Sequence, residues 1–220
     1  MSILPIDTGR YGTKEMLDIF KEQKKIDYQL DIEAAAALSQ SEIGLIPISI
    51  ARNISKIAKS GKITAKRIKQ LEAKSDHDTA ALVEALAEKC NKESRPWIHY
   101  GLTSNDLVDT SNSMQMRDAI KIIQPKVSKL SLILAKNAVK HKSVPAVGRT
   151  HGQHASIISF GLKFANWAAE MSTHLERLDE IKKRVLICKT LGVVGTGSLM
   201  GKNAVKVKES VAKKLGLYSA

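Results

Sequence analysis

The sequence predicts an all-α protein, and three observations support that fold class. Apolar residues recur at helical spacing along most of the chain. Two later segments alternate steps of four and three residues between apolar positions, a pattern typical of the contact between long helices. The intervening segments are short and contain Gly, Pro, Ser and Thr, as joints between helices do. We therefore predict a small helical N-terminal domain over residues 1–100 and the first part of a bundle of long helices over residues 101–220.

The N-terminal domain is predicted to contain one long helix and three shorter ones. Residues 13–39 carry apolar side chains at amphipathic spacing and predict the long helix. The shorter helices are predicted near residues 46–60, 64–74 and 79–91. The residues expected to cap the N-terminus of the last helix are Ser75, Asp76 and Asp78.

The bundle domain is predicted to begin with two long helices. The apolar stripe of the first comprises Met116, Ile120, Ile123, Val127, Leu130 and Leu134. The stripe of the second comprises Phe160, Phe164, Trp167, Met171, His174, Leu178, Ile181 and Val185. Pro125 removes one main-chain donor from the first helix and predicts a kink there. Residues 185–197 are compatible with a short strand.

The composition is that of a soluble globular protein, with 43% hydrophobic and 26% charged residues among 220. No apolar stretch approaches the roughly 20 residues that a membrane-spanning helix needs, and the first residues do not resemble a signal peptide. Only two cysteines occur, Cys90 and Cys188, without the spacing of metal ligands, which disfavours a disulfide or zinc scaffold. These features favour a reducing compartment, and we expect the cytoplasm.

The net charge of +13 comes from 35 Lys and Arg residues, most of them Lys, against 22 Asp and Glu. The lysines are scattered and aromatic residues make up only 4% of the chain, which disfavours a surface that reads or stacks nucleic-acid bases. Two interpretations of the charge remain open. It is either a solvated basic surface or, in part, a site for a small polyanionic substrate.

Residues 148–155 are the first candidate for a chemical site. Two glycines bracket Arg149, Thr150 and His151, so that a tight turn holds an imidazole beside a hydroxyl and a guanidinium. Histidine titrates near neutral pH and can act as a general acid or base, although a loop histidine that only caps a helix is the simpler interpretation. His154 lies three residues after His151, but no third ligand is near in the sequence, which disfavours a metal site.

Residues 99–110 are the second candidate. Thr103 and Asp106 have the spacing of a capping box at the start of a long helix. A helix N-terminus that also carries the hydroxyls of Thr103 and Ser104 is suited to a carboxylate or a phosphate. Capping alone would explain the same residues.

Two further positions carry chemically useful side chains. His77 and Asp78 stand at another predicted helix start, where capping is again the simpler interpretation. Arg10 and Tyr11 lie between two glycines in a segment without helical periodicity, and a guanidinium beside a phenol suits a phosphate.

These joints together resemble the signatures of the fumarase/aspartase superfamily, whose members eliminate fumarate from succinyl-containing substrates. Residues 148–155, GRTHGQHA, are similar to its second signature, and residues 100–110, YGLTSNDLVDT, to its first. Residues 75–79, SDHDT, and 5–12, PIDTGRYG, also resemble the superfamily, in the same order along the chain. The form of these motifs is that of the members that act on adenylosuccinate.

The resemblance implies a β-elimination that splits adenylosuccinate into AMP and fumarate, and the succinyl-carboxamide ribotide of purine synthesis into its carboxamide product and fumarate. It implies that His151 is the general acid and that His77 supports it as the second catalytic residue. The residues that it implies for substrate binding are Arg10, Tyr11, Asp78, His99, Thr103, Ser104, Thr150 and Gln153. No metal and no organic cofactor is implied.

One departure from the superfamily concerns its third signature, a Gly-Ser-Ser loop followed by Met-Pro that carries the serine general base. Residues 197–203, GSLMGKN, are shorter and lack the second serine and the proline. We therefore expect this chain to be the amino-terminal half of a lyase that is a homotetramer at full length, and to be inactive alone. Two alternatives remain: another fumarate-releasing lyase or cycloisomerase of the same superfamily, and a non-catalytic basic helical binding module.

Overall fold

The computed structural model describes residues 9–220, and its helices account for most of that length. The helices are α1 (Lys14–Ile19), α2 (Glu22–Glu42), α3 (Ile48–Ala58), α4 (Ala65–Ser75), α5 (Asp78–Lys89), α6 (Ser104–Lys140), α7 (Phe160–Val185) and α8 (Ala204–Leu215). The strands are β1 (Pro145–Thr150), β2 (Gln153–Ser159), β3 (Ile187–Cys188) and β4 (Tyr218–Ser219). Short 3-10 helices cover Arg95–Trp97 and Ser198–Asn203. The predicted all-α fold class is confirmed.

The described chain forms two compact units. The first comprises residues 9–118 and 185–220, and the second comprises residues 119–184. The domain boundary near residue 100 that the sequence suggests stays a prediction about how the chain is organised.

Helix α2 is the centre of the first unit, because it is buried on nearly all sides. It packs against α3 and α8, and four consecutive alanines, 34–37, are at most 5% exposed. Small side chains let neighbouring helices approach closely, and a helix with apolar residues all round is expected in a core. Four polar side chains of this helix are also buried: Gln29, Glu33, Ser39 and Gln40, with Glu33 at 2% exposure.

Two details of the N-terminal helices differ from the sequence prediction. The long helix predicted over residues 13–39 is divided into α1 and α2, because Lys21 adopts an extended backbone and interrupts the helical hydrogen bonds. The N-cap of α5 is His77, whose ring accepts the Ala80 N–H, whereas Asp76 ends α4 in a left-handed conformation. The three shorter helices lie where the sequence predicts them.

The second unit consists of the later part of α6, an antiparallel hairpin of β1 and β2, and α7 up to residue 184. Helix α6 continues through Pro125. The two strands were not predicted, because residues 144–155 contain the glycines and proline of a loop. In this unit the apolar stripes of both helices remain at least partly exposed, and among its described residues only Gly161 is buried.

Strands β3 and β4 form a short parallel pair in the first unit. The position of β3 confirms the short strand expected within residues 185–197. Cys90 and Cys188 are both free and buried, and burial raises the pKa of each thiol to about 11. No helix among residues 9–220 is long and apolar enough to cross a membrane.

Candidate functional site

A cavity of about 370 Å³ in the first unit brings together residues from three separate segments. Its lining residues are His77, Thr79, Ala80, Val83, His99, Leu102, Thr103 and Ser104. Four of these side chains are ones that the sequence singled out: His77, His99, Thr103 and Ser104. They come from the start of α5, the segment before α6 and the start of α6, so that two helix N-termini open into one cavity.

His77 has its ring orientation set by the helix that it caps. Its Nδ1 accepts the Ala80 N–H at 3.2 Å, so Nδ1 is the unprotonated nitrogen and Nε2 is the one that can carry a proton in the neutral ring. Asp78 accepts the N–H of Thr79 at 2.6 Å. The 3.8 Å between His77 Nδ1 and Asp78 Oδ1 is too long for a hydrogen bond. The adjacent pair is therefore not a His–Asp dyad.

The start of α6 is held by a carboxylate inside the protein. Asp106 is fully buried, and its Oδ2 accepts the main-chain N–H of Thr103 at 3.0 Å, which is the reciprocal half of the predicted capping box. The same oxygen accepts the N–H of Gly192 at 2.9 Å. Asp106 thus joins the first turn of α6 to the segment that follows β3.

A second contact ties the same two segments together one helical turn later. Thr110, also fully buried, donates its hydroxyl to the Lys189 carbonyl at 2.9 Å and accepts the Lys189 N–H at 3.0 Å. The sequence indicated that Asp106 and Thr110 share a helix face, and that face packs on residues 189–192. This contact was not predictable, because the partners are about 80 residues apart in the chain.

The charge on Asp106 is only partly balanced. Burial raises the pKa of this carboxyl, while the N–H groups of Gly192 and Thr103 and the charges of Lys189 and His99 oppose the rise. Among the described residues no donor lies within hydrogen-bond distance of its Oδ1. A buried carboxylate that forms hydrogen bonds through only one oxygen lowers the stability of the fold relative to a fully paired one. We therefore expect stability to be sensitive to substitution of Asp106.

His99 is fixed by a residue that sequence reasoning did not single out. Its main-chain N–H donates to Glu33 Oε2 at 2.9 Å, and its Nδ1 lies 2.6 Å from Glu33 Oε1. The backbone of His99 is left-handed, with φ of +61°, a conformation that few residues other than glycine adopt. The available signal for Glu33 was a single carboxylate between Ile32 and the four alanines of an apolar helix.

The charged groups around His99 favour its protonated form. Burial by itself lowers the pKa of His99, but the hydrogen bond that His99 donates to Glu33, the charge of Glu33 and the charge of Asp106 outweigh it. The net result is a pKa above the ordinary value of histidine. His99 is therefore the positively charged member of the cavity over a wider pH range than a free histidine.

His151, Thr150 and Gln153 lie in the second unit, at the end of the hairpin. Thr150 pairs with Gln153 in the strand register, so His151 and Gly152 form a two-residue turn. Both turn residues have positive φ, +50° and +73°, which is the geometry of a type I′ turn. The turn exposes all three side chains to solvent at the end of the hairpin.

Arg10 and Tyr11 form a contact of their own near the start of the described chain. The Arg10 guanidinium lies 5.2 Å from the centre of the Tyr11 ring, which is 70% exposed. Residues 5–8 of the same motif lie outside the described residues. Neither Arg10, Tyr11 nor Asp78 is among the described residues that line the cavity.

The part of the chain that the structure describes contains no group of three or more His, Cys, Asp or Glu residues placed to hold a metal ion. His151 and His154 are thus not joined by a third ligand within residues 9–220.

Comparison with known proteins gives consistent matches along the whole chain. A family model described as lyase matches residues 9–220. The adenylosuccinate lyase of Methanocaldococcus jannaschii is 45% identical over 217 residues, covering 99% of this chain and 47% of that protein. The adenylosuccinate lyase of Pyrococcus abyssi is 40% identical, with 100% and 48% covered. The N-acetyl-S-(2-succino)cysteine lyase of Dickeya dadantii is 33% identical, with 95% and 46% covered.

Solved structures match over a similar share of this chain. A fumarate lyase from a Mesorhizobium species superposes with a TM-score of 0.87 at 30% identity, covering 95% of this chain and 50% of that one. The 3-carboxy-cis,cis-muconate lactonizing enzyme from Pseudomonas putida gives 0.88 at 30% identity, with 96% and 49% covered. The chain spans about half the length of the relatives that it matches.

Proposed function

The chain belongs to the lyase family, as the resemblance of its motifs predicted, and on that premise we propose that it contributes to a β-elimination of fumarate. The proposed substrates are adenylosuccinate, which gives AMP, and the succinyl-carboxamide ribotide of purine biosynthesis. The observation that carries the proposal is the cavity lined by His77, His99, Thr103 and Ser104. The adenylosuccinate lyases among its relatives, at 39–45% identity in the archaeal examples, support the choice of substrate.

The proposed reaction removes a proton from the succinyl carbon next to the one that bears the leaving nitrogen. The electron pair spreads into the adjoining carboxylate, the C–N bond then breaks, and an acid protonates the nitrogen as it leaves. Thr103 and Ser104 would bind that carboxylate, because their hydroxyls line the cavity at the N-terminus of α6. Donors placed where negative charge develops are the groups that lower the barrier most.

We assign the acid to His151. A type I′ turn holds its imidazole in the open, beside the side chains of Thr150 and Gln153, and a histidine can donate a proton at neutral pH. His77 would support the acid and Asp78 would contact the substrate nearby. Arg10 and Tyr11 would bind the nucleotide portion with its phosphate. The reaction needs no metal and no organic cofactor in this proposal.

The serine base is the component that we do not find in these 220 residues. Residues 197–203 lack the second serine and the proline of the superfamily's base-carrying loop. We propose that the chain alone binds substrate without releasing fumarate, and that the active form is a homotetramer in the cytoplasm. The partly exposed apolar stripes of α6 and α7 support an assembly, because such surface is usually covered by a partner.

The direct test is calorimetric titration of the 220-residue chain with adenylosuccinate, followed by an assay for fumarate. We expect binding without turnover. Thr103→Val combined with Ser104→Ala should weaken binding at least about tenfold, since two donors to a charged group are lost. Thr64→Val is the matched control, because Thr64 caps α4 away from the cavity.

Two results would contradict the proposal. Equal weakening by Thr64→Val would mean that the cavity hydroxyls act only through stability. Sustained fumarate release by the chain alone would show that a base is present after all.

A second candidate is another fumarate-releasing lyase or a cycloisomerase of the same superfamily. The 33% identity to a succinocysteine lyase is the observation that favours it. Competition titrations with adenylosuccinate, a succinylated cysteine and a carboxymuconate would separate the possibilities, because the tightest ligand identifies the substrate class.

A non-catalytic basic binding module is the remaining alternative, and the net charge of +13 is its support. Such a module would bind random duplex DNA with steep salt dependence and without competition from nucleotides. We expect no such binding at physiological salt.

A further inference from the structure

Glu33 is a carboxylate in the interior of the first unit. It is 2% exposed and lies in α2 between Ile32 and Ala34, which are 0% and 1% exposed. A buried charge without a partner would cost several kcal/mol, so such a group is kept only where it is paired. Its partner therefore indicates what the charge does.

The partner is one residue, His99, which both oxygens of Glu33 contact. Oε2 accepts the main-chain N–H at 2.9 Å, and Oε1 faces the ring Nδ1 at 2.6 Å. Because a carboxylate only accepts hydrogen bonds, Nδ1 is the nitrogen that carries the proton. The other ring nitrogen, Nε2, has no hydrogen-bond partner among the described residues, and the His99 side chain is 21% exposed and lines the cavity with Thr103 and Ser104.

The ionisable groups that face His99 come from three helices. Glu33 belongs to α2 and is in direct contact, Asp106 belongs to the start of α6, and His77 of α5 lines the same cavity. The two carboxylates stabilise a cation at His99, whereas burial of the ring opposes it. The balance raises the pKa of His99.

We propose that Glu33 is a positioning residue that holds His99 as an imidazolium, so that its Nε2–H binds an anionic group of the substrate beside the hydroxyls of Thr103 and Ser104. The anionic group is a carboxylate or a phosphate, which present the same charged oxygen acceptors. The inference rests on the proposed function for the identity of the cavity, and it adds the charge state and its source.

A purely structural role for Glu33 would require only its hydrogen bonds. A glutamine has the same shape and could still accept the main-chain N–H of His99, so it would keep the left-handed backbone of that residue in place. The negative charge is what glutamine lacks. A buried ion pair is often no more stabilising than an apolar replacement, so fold stability does not explain why a charged pair occupies this position.

The experiment is Glu33→Gln in the 220-residue chain, with Asp31→Asn as the matched control. Asp31 is a partly buried carboxylate on the same helix that lines a different cavity. Nitrogen-15 NMR of the imidazoles gives the protonation of His99 as a function of pH. Titrations with succinate and with inorganic phosphate at pH 5.5 and 7.5 give anion affinity.

In the wild type we expect the pKa of His99 to lie above that of a free histidine and its Nε2 signal to respond to one of the two anions. A stronger response to succinate assigns the carboxylate, and a stronger response to phosphate assigns the phosphate. Glu33→Gln should lower the pKa of His99 and weaken anion binding about tenfold at pH 7.5, with little change at pH 5.5. Asp31→Asn should change neither quantity.

Three outcomes would overturn the inference: a pKa of wild-type His99 no higher than that of a free histidine, no response of Nε2 to either anion, or equal weakening of binding at both pH values. The last outcome is the signature of a structural role. Failure of the proposed function is separate, because it would appear as anion binding through His99 without any binding of adenylosuccinate.

Discussion

Substitution of Asp106 is the sharpest test of how the start of α6 is held. Its Oδ2 accepts two main-chain N–H groups, from Thr103 and Gly192, while the carboxylate is fully buried. Asp106→Ala removes both hydrogen bonds and leaves two partly buried main-chain donors without this acceptor. A hydrogen bond to a charged group contributes about 1.5–3 kcal/mol, so we expect the free energy of unfolding to fall by about 3 kcal/mol or more.

Asp106→Asn should cost less than Asp106→Ala, although its amide nitrogen is a buried donor without a partner. Both existing bonds converge on one oxygen, and the amide oxygen of asparagine can take that place. The amide nitrogen would take the place of Oδ1. This oxygen has no hydrogen-bond donor within reach among the described residues, so the replacement breaks no existing hydrogen bond. The weaker neutral acceptor is offset because no charge remains buried.

Urea unfolding monitored by the fluorescence of Trp97 measures these differences, in a Trp167→Phe background so that only the first unit reports. Asp109→Ala is the matched control, an exposed aspartate on the same helix whose pair with Lys189 at 3.1 Å contributes about 0–1 kcal/mol. The reasoning is refuted if Ala and Asn at position 106 cost the same, or if Ala costs no more than the control.

Three further outcomes follow from the same unit, each measured by urea unfolding. Because the pKa of His99 is raised in the folded protein, the protonated ring contributes to the free energy of unfolding. This contribution is fully present below about pH 6.5 and is lost as pH rises through the folded-state pKa. Glu33→Gln should remove the pH dependence of the free energy of unfolding, and an unchanged dependence on pH would contradict the prediction. Leu107→Ala should cost about 2–5 kcal/mol, since Leu107 is 0% exposed, and a loss below 1 kcal/mol would contradict its place in the core. Gly192→Ala should lower the free energy of unfolding more than Gly61→Ala, because both glycines have positive φ but only the first substitution would bring a Cβ within 3.1 Å of a main-chain oxygen. Equal decreases for the two variants would contradict the close approach.

The elements that the sequence predicted correctly are those specified by neighbouring residues. The shorter helices α3, α4 and α5 follow from apolar spacing over one or two turns. The capping contact of Thr103 with Asp106 follows from a separation of three residues, which any helix start brings within hydrogen-bond distance. In both cases the relevant partners are already close in the chain.

The predictions that were wrong concern features whose local signal was ambiguous. The glycines around His151 suggested a loop, although the same positive-φ residues form the two-residue turn of a hairpin. Ser75, Asp76 and Asp78 were expected to cap α5, whereas the N-cap is their neighbour His77, for which capping was the simpler interpretation. Such alternatives differ by small local energies, and the surrounding packing selects one.

The sequence by itself determined the fold class, the family and the residue types gathered at the helix joints, because periodicity and motifs are local properties of the chain. Only the tertiary structure decided that His77, His99, Thr103 and Ser104 line one cavity, and that Glu33, 66 residues from His99, supplies its counter-charge. Nothing in the local pattern around Glu33 specifies its partner. The partner is specified by the burial of α2, because a carboxylate removed from water needs a hydrogen-bond donor among the residues that the fold packs against it.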